Sequence, residues 1–179
     1  TRSPVGKNLP PSPSTVPSPL PRSCWLVKTE PGELSIDDMK HDVDQRKTTP
    51  WDGVRNTRAR NFLMQMSLGD DVVIYHSSIS PPGVAGFATI ARTHYPDDTC
   101  LNPASPYVDK KAIAKGGKHN WKMVDLAFAR KADVFVTLDT LRATPAMKDA
   151  LLRKCARLSV MPLTAVQFAG IRKLAVKLS

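Results

Sequence analysis

Thr49-Pro50-Trp51-Asp52-Gly53-Val54-Arg55-Asn56-Thr57-Arg58-Ala59-Arg60-Asn61 puts an aromatic, a carboxylate, a glycine, three arginines and two asparagines into one short run. A core segment does not need that mixture. Pro50 biases Thr49 towards an extended backbone, and Asp52-Gly53 reads as a turn, because Gly53 tolerates positive φ. Asn56 is placed as a helix N-cap, with Phe62, Leu63 and Met66 as the apolar stripe behind it. Trp51 and Asp52 are therefore expected on a loop that runs into a helix N-terminus. Trp51 offers a flat stacking face. Arg55, Arg58 and Arg60 have the reach and fork geometry to hold phosphates or bases. A structural reading competes on the same residues: Trp51 plugs a core and the arginines are solvated.

Upstream, Cys24-Trp25-Leu26-Val27-Lys28-Thr29 reads as a strand ended by Pro31-Gly32. A short helix is expected over 36–41 and a polar loop over 44–49. Downstream, the helix that Asn56 caps runs over 57–66 and ends near Gly69. Val72-Val73-Ile74-Tyr75 fits a buried strand. Residues 84–93 form a second β-rich run, with Gly86 marking a bulge or a close backbone approach. Residues 97–120 are polar and rich in Pro, Gly and Lys, and read as an extended surface loop. Trp121 to Phe128 alternates as a half-buried strand, and Val134-Phe135-Val136 follows. Helices are expected over 138–142 and 145–154, and an extended piece over 157–161. The last helix has the sharpest signature. Thr164 and Gln167 form a capping box, Leu163 and Phe168 a hydrophobic staple, and Val166, Ile171, Leu174, Ala175 and Leu178 an apolar face. Short strands interleaved with short helices define an α+β domain with a small, mixed, barrel-like sheet.

The 179 residues amount to one domain and a tail. Residues 1–22 hold seven prolines and four serines with no acid and no aromatic, which cannot form a core. That composition overlaps with transit peptides, although its prolines oppose an amphipathic helix. The domain is expected over 23–179. The first residue is Thr rather than Met, so the numbered chain can be a piece of a longer one. Net charge is +10, and removing Arg2, Lys7 and Arg22 leaves about +7 on the domain. Such a balance favours anionic partners, nucleic acid first. Three scattered cysteines without a C-x-x-C argue for a reducing compartment. No apolar run approaches the roughly 18 residues of a membrane span, so no membrane partner is expected, and the expected state is a monomer.

The four histidines, His41, His76, His94 and His119, show no metal-ligand spacing. There is no phosphate-binding glycine-rich loop and no dinucleotide fingerprint. No metal and no cofactor are expected. Lys28, Thr29 and Glu30 end the first strand, either beside a pocket or in water. Because consecutive strand residues alternate faces, the three are not expected to converge. Arg157 and Ser159 bracket Leu158 and are expected on one strand face. Trp25 and Trp121, each in a β pattern, read as core residues. The lysines of the 97–120 segment, Lys110, Lys111, Lys115 and Lys118, join Arg58 and Arg60 as candidates for the phosphate backbone.

Six blocks in this order resemble the EVE domain, and within it the thymocyte nuclear protein family. They are Trp25 to Pro31, Trp51-Asp52-Gly53-Val54-Arg55-Asn56, Ala59-Arg60-Asn61, Tyr75-His76-Ser77, Gly83-Val84-Ala85-Gly86, and Arg157-Leu158-Ser159-Val160. The resemblance implies a PUA-like fold, a small mixed β-barrel flanked by short helices and related to the YTH domain. It implies a non-enzymatic reader of a modified base, a modified cytosine, in DNA or RNA, working in the nucleus. The cytoplasm and the mitochondrion are the alternatives. Trp51 would be the stacking wall of a pocket with a basic rim, with Asp52, Gly53, Val54, Arg55 and Asn56 beside it. Lys28, Thr29 and Glu30 would form the floor, Tyr75, His76 and Ser77 a second wall, and Arg157 and Ser159 the far side. Thr29 stands where the family usually has Ser, as does Ala156. Related ASCH domains include amidohydrolases that use a Lys, a Thr and a Glu on modified cytidines. An amidohydrolase-like enzyme is therefore the alternative.

Overall fold

Leu26 and Val27 are neighbours in sequence, and both are fully buried. Adjacent strand residues face opposite ways, so the strand that holds them is covered on both sides. This is the centre of the domain in the computed structural model, which describes residues 22–46 and 48–177, with residues 42–46 as backbone alone. The Pro/Ser-rich segment 1–21 lies outside the described residues. The chain runs β1 (Cys24–Thr29), α1 (Ile36–Arg46), β2 (Thr49–Trp51), α2 (Thr57–Leu63), β3 (Asp71–His76), β4 (Gly83–Pro96), α3 (Lys110–Ala114), β5 (Lys122–Thr137), α4 (Leu138–Ala143), α5 (Leu151–Lys154), β6 (Val160–Leu163) and α6 (Ala165–Ala175). Short 3-10 turns occupy Asp98–Leu101 and Pro145–Met147.

The class is α+β, with one six-stranded mixed sheet in the order β2-β5-β4-β3-β1-β6. β1 runs parallel to β3, and the other pairs are antiparallel. Val72, Val73 and Ile74 of β3 are as buried as their β1 partners, as expected of parallel strands covered on both faces. The expected barrel is corrected here: the sheet is open. β2 has three residues and pairs with β5, and β6 has four and pairs with β1. Among the described residues no pairing joins β2 to β6. α2 packs against both β5 and β6 instead, so a helix takes the place of the closing strand.

Trp51 is the last residue of β2, not a loop residue. α1 continues to Arg46 where a loop was expected. Residues 121–128 and 134–136 belong almost entirely to one long strand, β5, whose register against β4 shifts several times. One of those shifts falls between Val84 and Gly86, where a Cβ on Gly86 would lie 2.7 Å from the Arg130 carbonyl. The helix expected over 145–154 breaks into a 3-10 turn and α5. β6 begins at Val160, so Arg157 and Ser159 sit in the bend before it. α6 has its capping box: the Gln167 amide donates to Thr164 Oγ1 at 3.1 Å, and the Thr164 amide to Gln167 Oε1 at 2.9 Å. Val166, however, is 69% exposed and is no part of the buried face.

Candidate nucleic-acid interface

The end of β1, the end of β2 and the bend before β6 meet around an open cavity of about 680 Å³. The bend is stitched to β1: the Lys28 amide donates to the Ser159 carbonyl at 2.8 Å, and Lys28 Nζ to the Ala156 carbonyl at 2.8 Å. That brings Arg157, Leu158 and Ser159 to the cavity wall. Lys28, Thr29 and Glu30 all line it as well. Alternation fails to separate them because β1 stops at Thr29 and the chain turns at once. Thr29 Oγ1 donates to the Leu34 carbonyl at 3.0 Å, and the Ser77 amide donates to the Thr29 carbonyl at 2.8 Å. Ser77 thus reaches the cavity, and Leu34 packs beside it.

Trp51, Asp52, Gly53 and Val54 supply the opposite side. Trp51 is 5% exposed and belongs to the core cluster as well as to the wall. Its side chain thus packs in the core while lining the cavity. Gly53 has φ +72°, which completes the turn. Arg55 and Asn56 do not line the cavity, and their tasks are structural. Asn56 Oδ1 accepts from the Ala59 amide at 3.0 Å and caps α2. Arg55 donates to the Asp97 carboxylate at 2.6 Å, to the Tyr107 carbonyl at 2.6 Å and to Thr99 Oγ1 at 3.1 Å. Asp97 is fully buried and also accepts from the Gly53 amide at 3.0 Å. Burial raises its carboxyl, but the bonds from Arg55, Thr99 and Gly53 outweigh this and hold it below the usual range.

Residues 97–120 are thus not the plain loop expected. Asp97 and Asp109 pin the segment, the latter capping α3 and accepting from Trp121 Nε1 at 2.8 Å. The segment delivers Pro106 and Tyr107 to the cavity. Tyr107 is the main contributor that local sequence patterns pass over, and a lone aromatic in a polar stretch is the signal that marks it. Its hydroxyl donates to Glu33, and burial first, then that bond, pushes its pKa up to about 12.

Tyr75 and His76, expected as a wall, lie outside the lining. Tyr75 is buried, with its ring 5.8 Å from the Lys28 ammonium. His76 faces a separate small cavity with Phe135 and Ile36, and its Nε2 accepts from the Ile36 amide at 3.1 Å. The lining itself is mixed in charge. Three carboxylates, Glu30, Glu33 and Asp52, share the lining with Lys28 and Arg157. Burial lowers the Lys28 pKa, and burial followed by the Asp97 charge raises that of Asp52. The remaining basic residues lie elsewhere. Arg58 is exposed on α2, over the Phe62 ring. Arg60 lies 5.9 Å and Arg55 5.6 Å from the Trp121 ring centroid, so Trp121 is a half-buried platform for guanidinium groups rather than a core residue. Lys110, Lys111, Lys115 and Lys118 are exposed on and after α3. Trp25 is a core residue, its Nε1 donating to Asp70 at 2.8 Å.

A six-stranded mixed sheet with short helices and a cavity at its strand ends defines a PUA-like α+β domain. Residues 23–174 match the EVE domain, and the chain belongs to that family. Human thymocyte nuclear protein 1 is 37% identical over 172 residues, covering 87% of this chain and 75% of that protein. A solved structure of a hypothetical protein from Leishmania major is 42% identical, with a TM-score of 0.80 over 87% of this chain and 95% of its own. The crystal structure of human THYN1 protein in complex with 5-methylcytosine containing DNA is 36% identical, with a TM-score of 0.79 over 88% of this chain and 99% of its own.

Proposed function

We propose that this EVE domain is a reader of a modified cytosine in DNA. One base leaves its stack and rests against Trp51, while Arg58, Arg60 and the α3 lysines take the phosphates. The observation that carries this reading is the likeness, at 36% identity and a TM-score of 0.79, to a human protein solved with 5-methylcytosine containing DNA. The cavity agrees in size, since small-molecule sites span roughly 300–1,000 Å³ and this one measures about 680 Å³. Extruding a base costs a few kcal/mol, and stacking on an aromatic returns about 1–3 kcal/mol. The relatives' name supports a nuclear location.

The test is a binding panel: one oligonucleotide sequence carrying cytosine or a series of modified cytosines at one position, as DNA and as RNA, at two salt concentrations. A preference for a modified cytosine in DNA is expected. Equal affinity across the panel sinks the reading.

One observation favours a second reading, an amidohydrolase-like enzyme acting on modified nucleosides. Lys28, Thr29 and Glu30 line a single cavity, and a Lys amine with a lowered pKa suits proton transfer. Incubating the protein with modified nucleosides and assaying for a hydrolysed product separates the two. Turnover that Lys28→Ala abolishes supports the enzyme, and no turnover removes it.

A further inference from the structure

The three carboxylates of the cavity are not equivalent. Glu30 accepts from the Ser78 hydroxyl at 2.7 Å, and Glu33 accepts from the Tyr107 hydroxyl. Among the described residues no other side chain donates to the Asp52 carboxylate, which leaves its acceptor capacity for a ligand. Asp52 directly follows Trp51, so a stacking face and an acceptor come from consecutive residues. Also lining the cavity is Lys28, whose ammonium spends one of its three donors on the Ala156 carbonyl.

The base chemistry asks for such an arrangement. 5-Methylcytosine and thymine carry the same methyl group, so a pocket that read only the methyl would accept both. They differ at position 4, where cytosine has an amino donor and thymine a carbonyl acceptor. A carboxylate only accepts and an ammonium only donates. Together they complement the donor and acceptor edge of cytosine, and the carboxylate sets lone pair against lone pair when it meets thymine.

Resting on the base-reader function proposed above, we propose that Asp52 is the specificity-determining residue of the cavity: its carboxylate accepts a hydrogen bond from the exocyclic 4-amino group of the held cytosine, Lys28 donates to an acceptor of the same base, and thymine is rejected. Asp52 is exposed and lines the cavity, so the discrimination comes from the bond that the 4-amino group gains and from the lone-pair repulsion that a 4-carbonyl meets.

The experiment is competition binding with single-stranded DNA, so that the strength of base pairing does not enter. One position carries 5-methylcytosine, cytosine, thymine or 5-methyl-2-pyrimidinone, which keeps the methyl and the ring acceptors but lacks the 4-amino group. The native protein is expected to bind 5-methylcytosine about tenfold tighter than thymine or the amino-less base. Asp52→Asn can present either a donor or an acceptor. It is expected to bring thymine within about threefold of 5-methylcytosine, while the preference for 5-methylcytosine over cytosine survives. Native protein that prefers 5-methylcytosine to cytosine, yet holds the amino-less base equally well, overturns the assignment to Asp52 and leaves the reader standing. An Asp52→Asn protein that keeps the full 5-methylcytosine to thymine ratio overturns it too. No preference among the four bases removes the reader function and the assignment together. The amino-less base needs no variant, so poor folding of Asp52→Asn does not blunt the test.

Discussion

The ring of Tyr107 occupies the space that a side chain on Gly53 would fill: a Cβ there would lie 2.7 Å from Tyr107 Cδ2. The same Gly53 has φ +72°, and the carbonyl of the same Tyr107 accepts from Arg55 Nε at 2.6 Å. The ring contact thus packs the turn that carries Asp52 against the same segment that Gly53 and Arg55 tie to it through Asp97 and Thr99.

Gly53→Ala is expected to cost about 1–2 kcal/mol for the left-handed backbone, plus the displacement of the Tyr107 ring. The second part is separable. In a Tyr107→Ala background only the backbone cost remains, so the two substitutions should combine to less than their sum. Chemical denaturation of the two single variants and the double variant measures the coupling. Strict additivity would show that the ring is not seated on the turn.

Trp51→Ala is expected to lose about 3–5 kcal/mol of stability, because the side chain is 5% exposed in the core cluster. It also loses discrimination of the modified base. Trp51→Phe keeps an aromatic face and part of the packing. It should melt closer to the native protein and retain part of the preference. Melting curves run beside the binding panel check both. A well-folded Trp51→Ala protein that still discriminates places the base elsewhere.

Phosphate contacts should show in the salt slope and not in base choice. Each contact contributes about 0.7–0.9 to the slope of log affinity against log salt. Replacing Lys110, Lys111, Lys115 and Lys118 with Ala is expected to flatten the slope while leaving the ratio between modified and unmodified DNA unchanged. Titrations at several salt concentrations give both quantities. A changed ratio with an unchanged slope would contradict the division of labour.

His76 makes stability depend on pH. Burial is the first cause of its pKa falling below 6.5, with Asp37 raising it and Lys131 lowering it. The unfolded chain therefore takes up the proton first as pH drops. The group's contribution is complete above about 6.5 and is lost as pH falls towards its folded value. The melting temperature of the native protein is expected to fall more steeply between pH 7 and pH 5 than that of His76→Gln, in which an amide oxygen can still accept from Ile36. Parallel slopes would show that His76 is not the group responsible.

What local chemistry controls was legible in the sequence. The Asn56 cap, the Thr164 and Gln167 box, the Val72 to Tyr75 strand and the tight spot at Gly86 each depend on residues within a few positions or on side-chain size. What distant contacts control was not. β2 has three residues, and what fixes them is pairing with β5, which no local pattern announces. The 97–120 segment looks like a loop because its order comes from Arg55 and Gly53, more than 40 residues upstream. Likeness to the family places Tyr75 and His76 in a wall. The strand carries them past the cavity instead, and Ser77 and Ser78 beyond its end turn in. The family likeness identified most of the lining, but it could not show that Trp51 is both a wall and a core residue.

The stitch between Lys28 and the 156–159 bend has a bearing on synthesis. Lys28 and Ala156 are 128 residues apart in the chain, and β6 completes the sheet against β1, the first of the described strands. Contacts this remote close late and slow folding. A nascent chain still on the ribosome carries Trp51 and Lys28 long before the bend that completes the enclosure. The cavity is therefore a property of the molecule made through residue 159, and under the proposed function a piece ending earlier is expected not to hold a base in it.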